Sequence, residues 1–239
     1  MIQKILILSF FNLVFLSFAH SQTSGHLKFG LLHFEILDTA NSSETFKNTM
    51  IDEFQNQFTY DVYFNNGSML EVRTIDSSKI LKTLFDKNSP GIVSFYLTTP
   101  EGNYYVIDSS LCAVDDLQSI EAEKKALKEI IIFGDPLKDK KTIFGFESIK
   151  VTILNPEDKK SEYLTSYMSP DIPYFTISSK VLTELFPGHP LESTMTTGFF
   201  KVQWGVTSFN PIVNSKEIFL IDTDGYKKIT YIELKALGF

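Results

Sequence analysis

A strictly alternating segment that ends in a tight-turn signal constrains the fold of this chain more than any other feature. Apolar residues occupy every second position between residues 58 and 64, which is the period of a half-buried strand. The residues in these positions are Phe58, Tyr60, Val62 and Phe64. The segment Asn65-Asn66-Gly67 follows, and Asn-Gly between two strand-like runs is a strong hairpin signal. We therefore predict an antiparallel hairpin at this point.

Two registers are open to this hairpin. A two-residue loop would place Val62 opposite Glu71. A three-residue loop, with Gly67 in the left-handed region, would place Val62 opposite Leu70 instead and bring Val72 onto the same face. We expect the second register, because it keeps the apolar residues of both strands on one face.

Strand signals recur along the rest of the chain, whereas helical signals are few. Further strands are predicted at 27–37, 92–98, 104–108, 143–154, 162–168, 199–209 and 217–221. Helices are predicted at 115–131, 178–186 and 230–237. The last of them starts with Thr230 and carries Glu233 three residues later, the pattern of a capping box. The spacing of strands and turns favours antiparallel connections, so we predict a mainly β (α+β) fold with a few short helices.

The first 21 residues have the pattern of a cleaved signal peptide. A positive charge at Lys4 precedes an apolar run from 5 to 18, which is shorter than the roughly 20 residues that span a bilayer. The run ends in Ala19-His20-Ser21, so cleavage after Ser21 leaves Gln22 as the first residue of the mature chain. We expect the chain to divide into a signal peptide, residues 1–21, which is removed, and a mature part, residues 22–239. The mature part is expected to form a single domain without a membrane-spanning segment. The mature protein is predicted to be periplasmic or secreted.

Composition excludes several classes of partner. The formal net charge is −7 and the isoelectric point is about 5.2, whereas nucleic acids and anionic membranes attract basic surfaces. The single cysteine, Cys112, cannot form an internal disulfide. Aromatic residues make up 14% of the chain, and such residues favour sheets. The aromatic content suits a broad apolar lining as well as a solid core.

Motifs that carry catalysis are weak in this sequence. There is no Gly-x-Ser-x-Gly elbow, no His-Glu-x-x-His and no phosphate-binding loop. His189 could share a cleft with Ser193 and Asp171, but a serine-rich chain offers many such triples. We therefore predict no enzymatic activity and no cofactor.

Residues 222–233 resemble a calcium-binding loop in their spacing of Asp222, Asp224 and Glu233. The chemistry argues against calcium, because Tyr226 and Lys227 occupy the fifth and sixth positions, where an oxygen ligand and a glycine are needed. We predict a turn followed by a capped helix, without a metal site.

Three segments of the second half resemble GLPGLI-type proteins, which are exported domains of unknown function from bacteria of the Bacteroidetes kind. These segments are Lys-Thr-Ile-Phe-Gly-Phe-Glu-Ser at 141–148, Tyr-Met-Ser-Pro-Asp-Ile-Pro at 167–173, and the closing strand and Gly-Tyr-Lys turn within 217–230. The resemblance implies a fold similar to the periplasmic lipoprotein carrier LolA. That fold is a curved antiparallel half-barrel closed over short helices, and such a shape encloses an apolar cavity.

The sequence and the resemblance together predict an exported, non-enzymatic envelope protein that binds a lipid, a lipoprotein or another apolar ligand. The residues expected to line its cavity are Phe58, Tyr60, Val62, Phe64, Leu70, Val72 and Trp204. One alternative is a protein-interaction or structural module of the envelope whose sheet interior is filled with side chains. The other alternative is an enzyme of unfamiliar type, such as an unrecognised hydrolase.

Overall fold

The computed structural model describes residues 24–37, 43–76, 78–89, 92–108, 117–174, 180–211 and 215–237. The predicted signal peptide and Cys112 lie outside these residues. Within them, the strands are β1 Ser24–Ile36, β2 Tyr60–Asn65, β3 Ser68–Asp76, β4 Lys79–Phe85, β5 Val93–Thr99, β6 Gly102–Asp108, β7 Ile131–Phe133, β8 Lys140–Ile143, β9 Phe146–Leu154, β10 Glu162–Ser169, β11 His189–Thr196, β12 Phe200–Asn210 and β13 Tyr226–Lys228. The helices are α1 Glu44–Phe58, α2 Leu117–Ile130, α3 Lys180–Leu185, α4 Ser215–Ile218 and α5 Tyr231–Ala236.

All the described strands belong to one curved, open sheet. Its order is β13-β6-β5-β4-β3-β2-β1-β12-β11-β10-β9-β7, and β8 pairs with β9 beside this path. Every pairing is antiparallel except that of β13 with β6. The predicted fold class, mainly β with an antiparallel sheet and short helices, is therefore confirmed.

The hairpin of β2 and β3 forms where it was predicted, but the predicted register is wrong. The loop has two residues, Asn66 and Gly67, with φ of 48° and 89°, as a type I′ turn requires. Val62 therefore lies opposite Glu71, and Tyr60 lies opposite Arg73. The prediction failed because it assumed one buried face, whereas both faces of this hairpin are covered.

The register divides the first half of the sheet into two faces. We call the face that carries Tyr60, Val62 and Phe64 the inner face. Residues directly opposite one another share a face, so Glu71 and Arg73 also lie on the inner face. We call the other face the outer face, and its residues in β2, β3 and β4 include Asp61, Tyr63, Leu70, Val72, Lys82 and Leu84.

Two other hairpins illustrate how turn residues set the strand ends. The strands predicted at 92–98 and 104–108 form the antiparallel hairpin of β5 and β6, and its two-residue loop is Pro100-Glu101. The predicted strand 143–154 is confirmed over 146–154, which is β9, but its predicted start is wrong, because Phe144 and Gly145 form a turn at φ of 50° and 88°. This turn separates β8 from β9 and pairs Ile143 with Phe146.

Helix α1 was not predicted, and it changes the place of Phe58. Ser43 caps the helix by accepting a hydrogen bond from the amide of Phe46. Phe58 is the last residue of α1 and not the first residue of a strand. The signal was a helical spacing of apolar residues at 46, 50, 54 and 58, which places them on one side of a helix.

The C-terminal part of the chain wraps around one edge of the sheet. The predicted strand 217–221 is wrong, because the chain there forms α4 and then irregular structure. β13 pairs with the edge strand β6, and α5 then packs Tyr231 and Leu234 against β5 residues of the inner face. The predicted capping box of α5 is confirmed, since Thr230 and Glu233 bond reciprocally.

Four clusters of buried side chains make up the described core. One joins β1, β2 and β12 with Ile172 and Leu191. Helix α1 contributes Phe54 and Phe58 to a second cluster, and α5 contributes Leu234 to a third. No helix in the described part of the chain is long and apolar enough to cross a membrane.

Candidate functional site

The predicted lining residues of β2 lie deep in the inner face. Tyr60, Val62 and Phe64 are 8%, 0% and 1% exposed. The ring of Tyr60 stacks on Phe29 at 4.5 Å between centroids, and Phe64 meets the ring of Phe146 edge-on at 5.9 Å. These contacts fill the space above the strand with other side chains.

Phe58 and Trp204 meet on the same inner face. Their rings stack with centroids 4.3 Å apart and an interplanar angle of 6°. Trp204 is two residues from Val206, which lies opposite Phe29 in the register of β1 and β12. The α1 helix and β12 therefore close over each other at this point.

Leu70 and Val72 lie on the outer face, away from the other five predicted residues. Leu70 is opposite Tyr63, and Val72 is opposite Lys82. Both residues line a groove with a volume of about 440 Å³. The structure thus divides the predicted lining set between a packed interior and an open groove.

This outer groove lies between the sheet and the C-terminal segment. Its floor consists of Tyr63, Leu70, Val72 and Lys82, and its wall consists of Glu217, Ile218, Leu220, Ile221, Asp222 and Tyr226. A volume of this size lies at the lower end of the range of small-molecule sites, about 300–1,000 Å³. The sequence missed the wall because 217–221 was interpreted as a strand of the sheet.

The wall of the groove is attached mainly at one end. Tyr226 packs edge-on against Tyr96 with centroids 6.2 Å apart, and its hydroxyl lies 3.5 Å from that of Thr98. Among the described residues, 217–222 form no hydrogen bond to the strands beneath them. Leu220 is 76% exposed although it lines the groove, so the wall presents an apolar rim to solvent.

One end of the groove adjoins a compact polar group on the outer face. His26 stacks on Tyr63 at 4.2 Å, and its Nε2 lies 2.6 Å from Oδ1 of Asp61. Burial, and then the charge of Asp61, raise the pKa of the Tyr63 phenol. Tyr63 therefore stays protonated at neutral pH and can donate a hydrogen bond.

A second polar group lies on the inner face, around the only arginine of the sequence. The Nε of Arg73 donates to Glu71 at 2.5 Å, and Nη1 donates to the carbonyl of Gln57 at 2.8 Å. The guanidinium carbon is 4.4 Å from the centroid of the Tyr60 ring. Burial and then the charge of Glu71 raise the pKa of Tyr60. The group is internally satisfied, since each charge has a partner of opposite sign.

His189 lies close to this inner group and is itself unsatisfied. It is 4% exposed, and neither ring nitrogen has a hydrogen-bond partner within the described residues. The Pro173 carbonyl favours protonation of the ring but falls short of hydrogen-bond geometry. Burial dominates and lowers the pKa of His189 to about 4. His189, Ser193 and Asp171, the triple set aside on sequence grounds, do not form a common cleft, because Ser193 bonds to Ser166 at 2.8 Å and Asp171 is exposed.

The loop at 222–233 uses its acidic groups to hold the backbone. Oδ1 of Asp222 accepts from the amide of Asp224 at 2.9 Å, and Oε2 of Glu233 accepts from the amide of Thr230 at 2.7 Å. Among the described residues, no group of three histidine, cysteine, aspartate or glutamate side chains has the arrangement of a metal site.

Comparisons with known proteins give weak likenesses. No family model matches the chain, and no curated protein matches it. Two crystal forms of PNGF-II align with 90% of the chain at 11% identity, with TM-scores of 0.43 and 0.46. The chain spans about a third of the length of that protein.

Two mycobacterial structures align over most of their own length. These are the lipoprotein LppX of Mycobacterium tuberculosis and LprF of Mycobacterium bovis, covered to 93% and 91% and aligned with 84% and 83% of this chain. Both are 11% identical to it, with TM-scores of 0.25. These TM-scores are too low to support a fold assignment. The assignment therefore rests on the strands of this chain, which define a mainly β protein with one curved, largely antiparallel sheet.

Proposed function

We propose that this chain is an exported, non-enzymatic envelope protein that binds an apolar ligand, and that the ligand occupies the outer groove. In this proposal, residues 1–21 are removed and 22–239 act as a single LolA-like domain of the GLPGLI type. The observation that carries the binding proposal is the groove of about 440 Å³ lined by Leu70, Val72, Ile218 and Ile221. Apolar ligands are stabilised by removing such surfaces from water.

The wall is anchored at one end and loosely attached elsewhere, which makes this groove better suited to a ligand than the inner face. Tyr226 holds one end against the sheet, while residues 217–222 form no hydrogen bonds to the described strands that a ligand would need to break. A ligand can therefore enter by displacing side chains alone. On the inner face, a ligand beside Val62 or Phe64 would have to displace packed aromatic rings.

The buried inner face also supports a second function, that of an envelope interaction module. Phe58, Tyr60, Val62 and Phe64 are at most 9% exposed, which is the property expected of a filled core. A carrier that instead opens its inner face would bind its ligand beside these residues and Trp204. Substitutions in the wall of the outer groove and on the inner face therefore distinguish three possibilities: a carrier that uses the outer groove, a carrier that uses the inner face, and an interaction module.

Substitutions in the wall test the proposal without disturbing the core. A fluorescent fatty acid should bind the wild-type protein, and Leu220→Ser with Ile221→Ser should weaken that binding about tenfold or more. Leu137→Ser provides the matched control, because Leu137 is 85% exposed and lies outside the groove. Phe64→Ala should lower the free energy of unfolding by about 3–5 kcal/mol while the folded fraction keeps its affinity.

Different outcomes favour the other possibilities. Loss of affinity in folded Phe64→Ala, with the wall variant unchanged, would favour an inner-face carrier. If no fatty acid or other apolar probe binds the wild-type protein, the carrier proposal is wrong and the interaction module replaces it.

A further inference from the structure

Charged side chains of both signs line the outer groove without pairing with one another. Lys82 is on the floor, and Glu217 and Asp222 are on the wall. No ammonium–carboxylate contact within 4.0 Å joins Lys82 to either acid. Among the described residues, the ammonium group of Lys82 makes no ion pair or hydrogen bond.

Lys82 lies on the floor of the groove among apolar and aromatic neighbours. It is half-buried and lies opposite Val72, beside Leu84 and Tyr96 in the register of the outer face. Its ammonium group has no counter-ion within the described residues and can donate to an anionic group of a ligand. A charge-assisted hydrogen bond of this kind is stronger than one between neutral groups.

The two acids of the wall have free carboxylate oxygens for the opposite charge. Glu217 accepts no side-chain hydrogen bond within the described residues, and Asp222 uses Oδ1 for the amide of Asp224. Lys82 is on β4, whereas the acids are on a segment whose described residues, 217–222, form no hydrogen bonds to that strand. A ligand that carries both charges can therefore bridge the floor and the wall.

We propose that the outer groove takes a single-chain amphiphile with a zwitterionic headgroup, whose anionic part binds Lys82 and whose cationic part binds Glu217 and Asp222. This inference rests on the proposed function. Leu70, Ile218 and Ile221 supply the apolar surface for the chain, and a volume of about 440 Å³ suits one chain better than two. A lysophospholipid of the phosphoethanolamine type has this chemistry.

Headgroup preference is the test. The probes are three molecules with the same fluorescent acyl chain, used below their micellar concentrations: lysophosphatidylethanolamine, monoacylglycerol and the free fatty acid. We expect the zwitterionic probe to bind about tenfold more tightly than the neutral one, as one net charge-assisted contact implies. Lys82→Gln should remove this preference and leave the affinity for monoacylglycerol unchanged.

The acids of the wall are tested in the same assay. Glu217→Gln combined with Asp222→Asn should reduce the affinity for the zwitterionic probe about tenfold, since asparagine can still accept the hydrogen bond from Asp224. Matched controls are Lys228→Gln and Asp224→Asn, because both residues are exposed and lie outside the groove. Circular dichroism establishes that each variant is folded.

Each other result overturns part of the inference. Equal affinities for the three headgroups would eliminate the headgroup site while leaving the apolar groove intact. Tightest binding of the fatty acid, lost in Lys82→Gln but retained in the acid variant, would replace the zwitterion with a simple anion. If no probe binds, or if the wall variant Leu220→Ser with Ile221→Ser binds the probes as tightly as the wild type does, the proposed function itself fails.

Discussion

At the scale of single residues, His189 is the least compatible with its surroundings. Its ring lies among Phe29, Tyr174 and the buried strand ends, with no hydrogen-bond partner in the described chain. A polar group left unsatisfied in this way costs about 1–3 kcal/mol. Burial lowers the pKa of His189 from 6.5 to about 4, so the folded protein holds a neutral imidazole at neutral pH.

This shift predicts a specific loss of stability in acid. Between pH 6.5 and 4 the unfolded chain binds a proton at this position and the folded chain does not, so stability falls as the pH falls through that window. The wild-type protein should lose about 3 kcal/mol more than His189→Phe between pH 7 and pH 4. Urea unfolding, followed by the fluorescence of Trp204, measures the difference.

The control for this prediction is His33→Phe, because the side chain of His33 is 55% exposed. That variant should retain the acid sensitivity of the wild type. Equal acid sensitivity in His189→Phe and the wild type would show that His189 is protonated as easily in the folded chain as in the unfolded one.

At the scale of secondary-structure elements, the sequence predicted turns and helix caps better than it predicted how the strands pair. The hairpins at Asn66-Gly67 and Pro100-Glu101 and the cap of α5 follow from residues a few positions apart. The register of β2 and β3 depended on which faces are covered, and the wall that covers the outer face lies about 150 positions later in the sequence. The candidate groove could not be predicted because its wall contains the continuous apolar run 218–221, which looks like a buried strand, whereas the chain there forms the end of α4 and then irregular structure.

The turn itself makes a prediction about stability. Gly67 adopts φ of 89°, and a Cβ there would come within 3.3 Å of Lys87 Cδ. Gly67→Ala should lower the free energy of unfolding by about 1–2 kcal/mol. Gly198→Ala is the control, because nothing lies within 4 Å of a Cβ at that position, and it should be neutral or slightly stabilising. Chemical denaturation of the two variants decides whether the backbone conformation causes the loss.

At the scale of the whole molecule, one continuous sheet contains strands that run from Ser24 to Lys228. β1 occupies its centre, between β2 and β12, and it begins at Ser24, three residues after the predicted cleavage position. The sequence predicted the sheet from repeated strand signals. It did not predict the order of the strands, because the pairing of β1 with β12 joins residues about 180 positions apart.

Export leads to a prediction for the complete chain. N-terminal sequencing of protein recovered from outside the cytoplasm should give Gln22 as the first residue, or a residue within one or two positions of it. Replacing Ala19 and Ser21 with bulky residues should slow processing and retain the precursor. A mature protein that still begins with Met1 would contradict the export proposal.

The short strands at the two ends of the sheet have a consequence for solubility in a crowded compartment. An exposed edge strand presents unpaired backbone amides and carbonyls that can recruit strands of other molecules. Here β13 and β7, the terminal strands of the described sheet, are each three residues long, and β13 contains Lys227 and Lys228, both exposed. Loss of the C-terminal segment would uncover the seven-residue β6, giving neighbouring copies a longer template for aggregation.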